Sequence, residues 1–386
     1  MTVLEPSTAQ AAAAMLADAG RSGVSLRPSG SGTKQSWGNR SAGHTTYLST
    51  LHLNESIHHY AGDLVATIPA GMTLAAVNTV LGRERQWLPL DPPHRDAATI
   101  GGIVATNDSG PRRHLYGSAR DLIVGVEFAL ADGRVAKAGG RVVKNVAGYD
   151  LGRLLCGSFG SLAFITSATF KLAPVAPFSV TLSAEPRDAT EACALARAVA
   201  AAPLAPSAIE VEAPLPRLLV RFETTEAAAR QQADSARRLL DDAGAPARMH
   251  LDDDERDLWR RHDQAAQTGG DVLVKVSVLP THLPGVLAAL YQAPASITWS
   301  AAGRAALGVV VVRFAGPVEP LIDLILRLRA HVRASGGHLV VLESPPPFSE
   351  HVDPWGDLEN TSLMRAVKAR FDPCNVLSPG SGPGGI

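Results

Sequence analysis

The sequence predicts an α+β protein built from two unlike regions, and three observations carry this prediction. Residues 1–175 alternate short extended segments with short amphipathic helices and contain several glycine-rich loops. Residues 178–251 and 272–342 repeat one order of strand, helix, strand, strand, helix, strand. Between these regions, APVAP has the composition of a linker. We therefore predict domains over 1–175 and 176–344, followed by a C-terminal segment over 345–386.

In the first region, helices are predicted from capping residues and apolar spacing. Residues 7–20 form an Ala-rich helix with Ser7 as its N-cap, and Thr73 begins a second helix with one apolar face. An Asp-Gly pair predicts a hairpin over 121–137. The Pro-, Gly- and Asp-rich stretch 90–118 is predicted to be a long loop, and loops of this length are usually functional or disordered.

Each repeat in the second region is typical of a ferredoxin-like unit. The two units together predict a single antiparallel sheet with helices on one side. Beyond Pro345 the chain is Pro-rich, then contains the short helical segment SLMRAVKARF, and ends in a Gly/Pro coil.

The charge balance argues against several classes of protein. The 36 basic and 37 acidic residues give a net charge of −1, so there is no electrostatic case for binding nucleic acid. No apolar run approaches the ~18 residues of a membrane span, so no transmembrane segment is predicted. The N-terminal residues include early acids and no basic stretch, so we expect a cytoplasmic location and no export.

Cysteines and histidines give no sign of a metal centre. Cys156, Cys193 and Cys374 lie far apart and form no CxxC, so they cannot supply the four thiolates of an iron–sulfur cluster. We expect them to be buried or incidental thiols in a reducing compartment. The 12 histidines include no HxH or HxxxH, and no metal site is predicted.

Residues 25–38, SLRPSGSGTKQSWG, place a glycine-rich loop directly after a short apolar run. A Walker A loop needs Gly directly before Lys, but Thr33 separates Gly32 from Lys34. A dinucleotide fingerprint needs a third Gly where this chain has Gln35. Because no helical pattern follows the loop, we predict that main-chain N–H groups hold any phosphate, in a nest. Lys34 has no role in this prediction, and its replacement should cost little.

Three further segments have the same character: TIGGIVATNDSG at 99–110, RRHLYGSARD directly after it, and GSFGSLAFIT at 157–166. Each alone is also typical of an ordinary surface turn. Four such segments without acidic clusters indicate one large ligand that is contacted mostly by backbone.

These motifs occur in the order RPSGSGT, PLDPP, TIGGIVATNDSGPRRHLYGSARDLIVGVEFALADG and VVKNVAGYDLGRLLCGSFGSLAFIT. From about Arg27 to Leu172, this order closely resembles the FAD-binding domain of the vanillyl-alcohol oxidase, or PCMH, type. The terminal FDPCNVLSPG resembles the closing element of that family, with Ser378 in place of the usual Asn. Within the family, KNVAGYDL and the short second domain resemble the FAD-binding subunit of bacterial glycolate oxidases.

The resemblance implies a two-subdomain PCMH-type FAD-binding domain, a ferredoxin-like antiparallel cap and a C-terminal segment that returns to the FAD domain. It implies that main-chain amides in the first loop wrap the FAD pyrophosphate: Ser29, Gly30, Ser31, Gly32 and Thr33. It further implies that the flavin and its diphosphate are lined by Gly101, Gly102, Asn107, Ser109 and Gly110. The rest of the dinucleotide would be enclosed by Gly117, Gly160 and the backbone of Ile165. Since the first loop lacks His, we expect non-covalent FAD, with His114 as the alternative anchor.

The sequence is less informative about catalysis. Relatives that oxidise D-2-hydroxy acids carry a metal-binding GHxGDGNxH-like segment, and the only echo of it here is His338 in GGHLVVLES. Lys144 and Tyr149 are the candidate catalytic residues, and Arg112 and Arg113 could face the carboxylate of a small 2-hydroxy acid. The alternative is that Lys144 supports the helix entry and that the arginines are surface or interface charges.

Three functions therefore remain open. The first is a FAD-binding redox subunit that oxidises glycolate to glyoxylate together with a catalytic flavin subunit and an iron–sulfur subunit. Three cysteines cannot hold the cluster, so such a partner is required, and contact with the inner membrane would occur through partners only. The second is a stand-alone FAD oxidase or dehydrogenase of a small alcohol or 2-hydroxy acid. The third, a flavin-free scaffold, is disfavoured because a scaffold does not need the glycine loops.

Overall fold

The computed structural model describes residues 2–39, 46–140, 148–267 and 270–386. The strands are β1 (Thr2–Leu4), β2 (Arg27–Ser29), β3 (Thr46–Ser49), β4 (His58–Tyr60), β5 (Val65–Pro69), β6 (Gln86–Trp87), β7 (Ile123–Ala129), β8 (Val135–Gly139), β9 (Phe164–Lys171), β10 (Ala173–Pro174), β11 (Phe178–Ala184), β12 (Ala208–Ala213), β13 (Arg217–Thr224), β14 (Ala247–His250), β15 (Val272–Ser277), β16 (Thr298–Arg304), β17 (Val309–Ala315) and β18 (His338–Glu343). The helices are α1 (Ala9–Ser22), α2 (Leu74–Leu81), α3 (Ile100–Thr106), α4 (Arg113–Tyr116), α5 (Ala119–Leu122), α6 (Leu151–Leu155), α7 (Ala189–Ala201), α8 (Glu226–Asp242), α9 (Asp252–Gln267), α10 (Leu283–Leu290), α11 (Val318–Ala334), α12 (Pro346–Ser349) and α13 (Thr361–Phe371).

The chain forms two compact units. Unit 1 comprises residues 1–110, 116–175 and 357–386, and unit 2 comprises 111–115 and 176–356. Residues 345–356 thus fall in unit 2, and the short segment 111–115 joins unit 2 although it lies within the first predicted domain range. The predicted domain ranges themselves stay predictions.

Unit 1 contains two main sheets, which agrees with the predicted α+β class. Strands β1, β3 and β2 form a parallel three-stranded sheet, and β4, β5, β9, β7 and β8 form an antiparallel five-stranded sheet. The smaller sheet packs with α1 around Leu16, Leu26 and Leu48, and α2 and α3 pack on the larger one. The C-terminal segment runs beside β2, because Ser378 N donates to Leu26 O at 2.9 Å.

Two details of unit 1 differ from the sequence prediction. Thr8, not Ser7, is the N-cap of α1, since its hydroxyl accepts from Ala11 N at 3.1 Å. The predicted long loop 90–118 contains α3 and all of α4. Helix α3 forms because Thr99 caps it and because Ile100, Ile103 and Val104 are buried on one face.

Unit 2 is one eight-stranded sheet in the order β14-β11-β13-β12-β16-β17-β15-β18, and each strand runs antiparallel to its neighbours. Helices α7, α8, α10 and α11 bury apolar side chains against one face of this sheet. The double ferredoxin-like arrangement predicted from the repeat is therefore confirmed.

Two helices of unit 2, the long α9 and the short α12, were not predicted. Helix α9 buries Leu258 and Trp259 against Ala208 and Leu219. Ala208 and Leu219 alternate along their strands with residues of the main core, so α9 covers the opposite face of the sheet. The predicted arrangement with helices on one side is thus wrong for α9, which also bonds the sheet through Glu255 and Trp259, both in contact with the Thr181 hydroxyl.

Within the described residues, no helix is both long enough and apolar enough to span a lipid bilayer.

Candidate functional site

A groove in unit 1 collects most of the residues predicted to bind the cofactor. It is lined by the first glycine-rich loop, the start of α3, the turn before β9 and the C-terminal coil. Nine of the predicted residues line it: Ser29, Gly30, Ser31, Gly32, Thr33, Gly101, Gly102, Gly160 and Ile165. Four others, Asn107, Ser109, Gly110 and Gly117, are absent from its lining.

The first loop presents free main-chain donors. In the described part of the chain, the N–H groups of residues 30 to 34 donate to no acceptor, while Gln35 N closes a turn on Gly32 O at 3.2 Å. Gly32 has φ +79°, a left-handed conformation that favours glycine, and a Cβ added there would meet no atom beyond its neighbours closer than 3.9 Å. A run of unpaired amides in a tight turn is a concave anion site.

Side chains hold this loop in place. Ser31 Oγ donates to Ala97 O, Arg27 Nη2 donates to Gln35 O at 2.7 Å, and Gln35 Nε2 donates to Pro28 O at 3.1 Å. Burial lowers the pKa of Arg27 from its usual value, with the nearby Tyr47 opposing this shift. The loop is therefore shaped by bonds from its side chains, which leaves its backbone amides available for a ligand.

Close packing explains several of the glycines. A Cβ on Gly30 would lie 2.0 Å from Thr99 Oγ1, and a Cβ on Gly101 would lie 3.0 Å from Ala70 Cβ. Gly160, with φ +70°, packs against Pro28. These contacts bring the first loop, the start of α3 and the turn before β9 together around the groove.

The amides of the second predicted loop differ from those of the first. Gly101 N donates to Ala70 O at 2.8 Å, and Gly102 N donates to Thr99 Oγ1 at 3.4 Å. These two glycines can therefore offer a ligand a flat, close surface, but their N–H groups are already used within unit 1.

The four predicted residues outside the groove have structural explanations. Asn107 ends α3 with φ +48°, and its Oδ1 accepts from Arg120 N at 3.3 Å. Ser109 is buried and its N donates to Asp108 Oδ1 at 2.9 Å. A Cβ on Gly110 would lie 1.9 Å from Asp91 O, and Gly117 has φ +81° beside Asp121. Their roles in cofactor binding stay predictions.

Lys34 is the clearest residue that the sequence interpretation missed. Its side chain is only 6% exposed, and its Nζ lies 3.3 Å from Asp108 Oδ2, whose side chain is 9% exposed. Lys34 Nζ also lies 3.4 Å from Pro93 O and 5.7 Å from the centre of the Trp37 ring. The prediction that Lys34 can be replaced at little cost stays a prediction, and the buried pair weighs against it, since loss of Lys34 leaves a buried carboxylate without its cation. No local sequence signal pairs Lys34 with Asp108.

The C-terminal coil also lines the groove, through Ser378 and Ser381. It is anchored by Lys368, whose Nζ donates to Ser161 O at 2.8 Å, to Leu377 O at 2.7 Å and to Asp372 Oδ2. Asp372 also accepts from Val376 N and Leu377 N. This buried cluster explains the Asp of the FDP motif: its carboxylate closes the turn that returns Ser378 to β2.

The candidate catalytic residues do not form a site in the described chain. Lys144 lies outside the described residues. Tyr149 is 91% exposed, so unit 1 does not enclose its ring, and its catalytic role stays a prediction.

Arg112, a candidate for binding the substrate carboxylate, and His114, the alternative flavin anchor, lie in unit 2. Arg112 binds Glu223 with two hydrogen bonds, of 2.9 and 2.7 Å, and is therefore not free to bind a substrate carboxylate as predicted. Burial raises the pKa of Glu223, but Arg112 and Arg221 outweigh it and hold that pKa at about 2. Burial also lowers the pKa of His114, the alternative flavin anchor.

The three thiols are free, as expected. Burial raises the pKa of Cys156 to about 12 and that of Cys193 to about 11, so both are protonated at neutral pH. Among the residues that the structure describes, no group of three or more His, Cys, Asp or Glu side chains is placed to hold a metal ion.

Comparisons with known proteins agree with this site. A family described as "FAD binding domain" matches residues 2–139. Glycolate oxidase subunit GlcE of Escherichia coli (strain K12) is 41% identical over 124 residues, which are 32% of this chain and 35% of that protein. D-lactate dehydrogenase of Archaeoglobus fulgidus is 37% identical over 172 residues, 45% of this chain and 38% of that protein. The matches thus span less than half the length of these relatives.

Two other similarities extend along almost the whole chain. An uncharacterized FAD-linked oxidoreductase of Mycobacterium tuberculosis (strain ATCC 25618 / H37Rv) is 25% identical across 97% of this chain and 89% of that protein. A solved structure of alkyldihydroxyacetonephosphate synthase superposes with a TM-score of 0.73 at 16% identity, covering 97% of this chain and 75% of that one. This last likeness concerns the fold alone.

The residues present fit FAD, because a run of free amides faces a groove that glycines keep open. Residues 2–139 therefore resemble the FAD binding domain family in sequence and in the groove they help to form, and FAD is the cofactor of this chain.

Proposed function

We propose that this chain is a FAD-dependent oxidoreductase that serves as the FAD-binding redox subunit of a glycolate oxidase complex, which converts glycolate to glyoxylate. The observation that carries the proposal is the first loop with its free amides, in a chain of which 124 residues are 41% identical to a glycolate oxidase subunit. Bound FAD would supply a group that accepts two electrons from a substrate and passes them on singly.

The residues of this chain would bind and orient the cofactor. The amides of residues 30 to 34 would hold the negative diphosphate, and the small surface of Gly101 and Gly102 would let the rest of the cofactor approach α3 closely. Ser378 and Ser381 would close the groove from the C-terminal side. We propose that binding is non-covalent, since the first loop contains no His.

The proposal requires partner subunits, because this chain lacks the residues for an iron–sulfur electron acceptor of its own. A redox subunit would need an acceptor for its electrons, and the three cysteines of this chain cannot form a four-thiolate cluster. We propose that an iron–sulfur subunit accepts them and that a catalytic flavin subunit binds the 2-hydroxy acid. The pairing of Arg112 with Glu223 supports this division, because it removes one candidate for substrate binding from this chain.

The second candidate is a stand-alone FAD-dependent dehydrogenase of a 2-hydroxy acid. The similarity to D-lactate dehydrogenase of Archaeoglobus fulgidus favours it, because that enzyme is not named as a subunit.

A substrate screen separates the two candidates. The FAD-loaded chain is assayed with glycolate, D-lactate and D-2-hydroxyglutarate, alone and after co-purification with its native partners. The subunit proposal predicts activity with partners only. Turnover by the chain alone at roughly 1 s⁻¹ or more, a rate typical of enzymes, establishes the stand-alone dehydrogenase instead.

A further inference from the structure

The first loop and the segment after α3 are joined by a buried charge pair. Lys34 directly follows Thr33 at the end of the loop, and Asp108 lies two residues beyond the end of α3. Their side chains are 6% and 9% exposed, with 3.3 Å between Lys34 Nζ and Asp108 Oδ2. Both segments carry residues predicted to contact the cofactor, and only Lys34 of the pair lines the groove.

The bonding around this pair is incomplete. Asp108 Oδ1 accepts from Ser109 N at 2.9 Å, whereas Oδ2 has no hydrogen-bond partner in the described chain other than the ionic contact. Lys34 Nζ reaches Pro93 O at 3.4 Å, a long contact. Each charge is thus compensated mainly by the other. Removing either one leaves an uncompensated buried charge next to the loop, and movement of the loop is one way to relieve it.

The position of the first loop matters because its proposed contacts with the ligand are made by backbone amides, which move with the loop. Gly32 has a left-handed φ, and an anion-binding nest of successive N–H groups depends on such a turn conformation. A side-chain cation could follow a displaced anion, but a set of backbone amides cannot.

We propose that Lys34 and Asp108 are a positioning pair for FAD: their mutual charge holds the first loop in the conformation that binds the diphosphate. Lys34 acts through Asp108 and not as a direct cation for the phosphates. This inference rests on the proposed FAD site in the groove and deepens it.

The test is a double-mutant cycle on FAD affinity. Apo-protein is titrated with FAD for the wild type, Lys34→Met, Asp108→Asn and the double variant, at a temperature where thermal melts show every apo-protein to be folded. Lys137→Met is the matched control, because it removes an ion pair with Glu127 whose lysine is 76% exposed. We expect each single variant to bind FAD at least about tenfold more weakly, the double variant to recover most of that loss, and the control to match the wild type.

Other results overturn the proposal. If Asp108→Asn leaves FAD affinity unchanged or strengthens it while Lys34→Met weakens it, Lys34 is a direct phosphate ligand. If the single variants lower the apo melting temperature but not FAD affinity, the pair is structural only. Failure of the proposed FAD site is distinguishable, because it shows as absent FAD binding in the wild type.

Discussion

At the scale of single residues, the groove depends on backbone conformation more than on side-chain chemistry. Gly30 and Gly32 are neighbours in one motif, yet they are needed for different reasons. A side chain on Gly30 would collide with Thr99, whereas a side chain on Gly32 would meet open space but require φ +79°. Steric contact thus requires glycine at position 30, and conformational preference requires it at position 32.

Gly32→Val should lower FAD affinity more than it lowers stability. A β-branched residue disfavours a positive φ, so the turn and its free amides should shift. The measurement is FAD titration beside a thermal melt of the apo-protein. Gly62→Val is the matched control, since Gly62 has open space around it and a φ outside the left-handed range. Full FAD occupancy in Gly32→Val shows that the pyrophosphate lies elsewhere.

A second residue-scale feature is His262, which connects α9 to the sheet. It is buried between Glu210 and Glu212, with Nδ1 2.6 Å from Glu212 Oε1 and Nε2 3.3 Å from Glu210 Oε2. The ring of Trp259 packs edge-on against it. Burial lowers the pKa of His262, but the hydrogen bonds and charges of the two glutamates outweigh it and raise that pKa to about 9.

Raising the pH should therefore weaken unit 2. The stabilisation by protonated His262 is complete below the unfolded pKa near 6.5 and disappears as the pH rises through about 9, at ~1.4 kcal/mol per pH unit between them. Denaturant unfolding at about pH 7 and about pH 9.5 measures it. His262→Gln should lose this pH dependence, while His338→Gln, at an exposed position, should keep it. An equal slope in wild type and His262→Gln contradicts the assignment.

At the scale of elements, α13 and the coil after it complete the groove. Lys368 leaves α13 to bond the carbonyls of Ser161 and Leu377, and Asp372 accepts two amides of the following turn. The helix is otherwise largely exposed, with Leu363 at 65%. A few buried polar contacts therefore hold this element in place, in addition to packing by Val367 and Phe371.

Lys368→Met should destabilise unit 1 by about 3–5 kcal/mol, the usual effect of removing one partner of a buried ion pair. The carboxylate of Asp372 would lose its cation, and two carbonyls would lose their donor. Thermal unfolding and FAD retention after gel filtration are the readouts. Arg370→Met on the exposed side of α13 is the control. A melting temperature that is equal in the two variants would falsify the anchoring role.

At the scale of the whole molecule, the two units differ in the features that they carry. Unit 1 carries the groove, and unit 2 carries an eight-stranded sheet whose second face holds paired charges such as Arg304 with Glu210. Such pairs satisfy charges within the chain and leave fewer of them for a substrate.

The purified chain should show a flavin absorption spectrum, and acid precipitation should release the FAD into the supernatant. The reason is a cradle of amides with no His in the first loop. Spectra of the pellet and supernatant decide the matter. Flavin colour that stays with the precipitated protein indicates a covalent bond, with His114 as the first residue to replace.

The sequence by itself determined the fold class, the double ferredoxin-like repeat and the glycine loops, because these depend on local periodicity and on backbone freedom. Helix α9 escaped prediction because its polar contacts leave little apolar periodicity to detect. Tertiary structure alone decided that Lys34 meets Asp108, that Arg112 meets Glu223 and that Lys368 anchors the C-terminal coil. Except for the short-range links from Lys368 to Asp372 and Leu377, these contacts join residues far apart in the chain. Burial, which sets their energetic importance, is a property of the folded molecule and not of any local pattern.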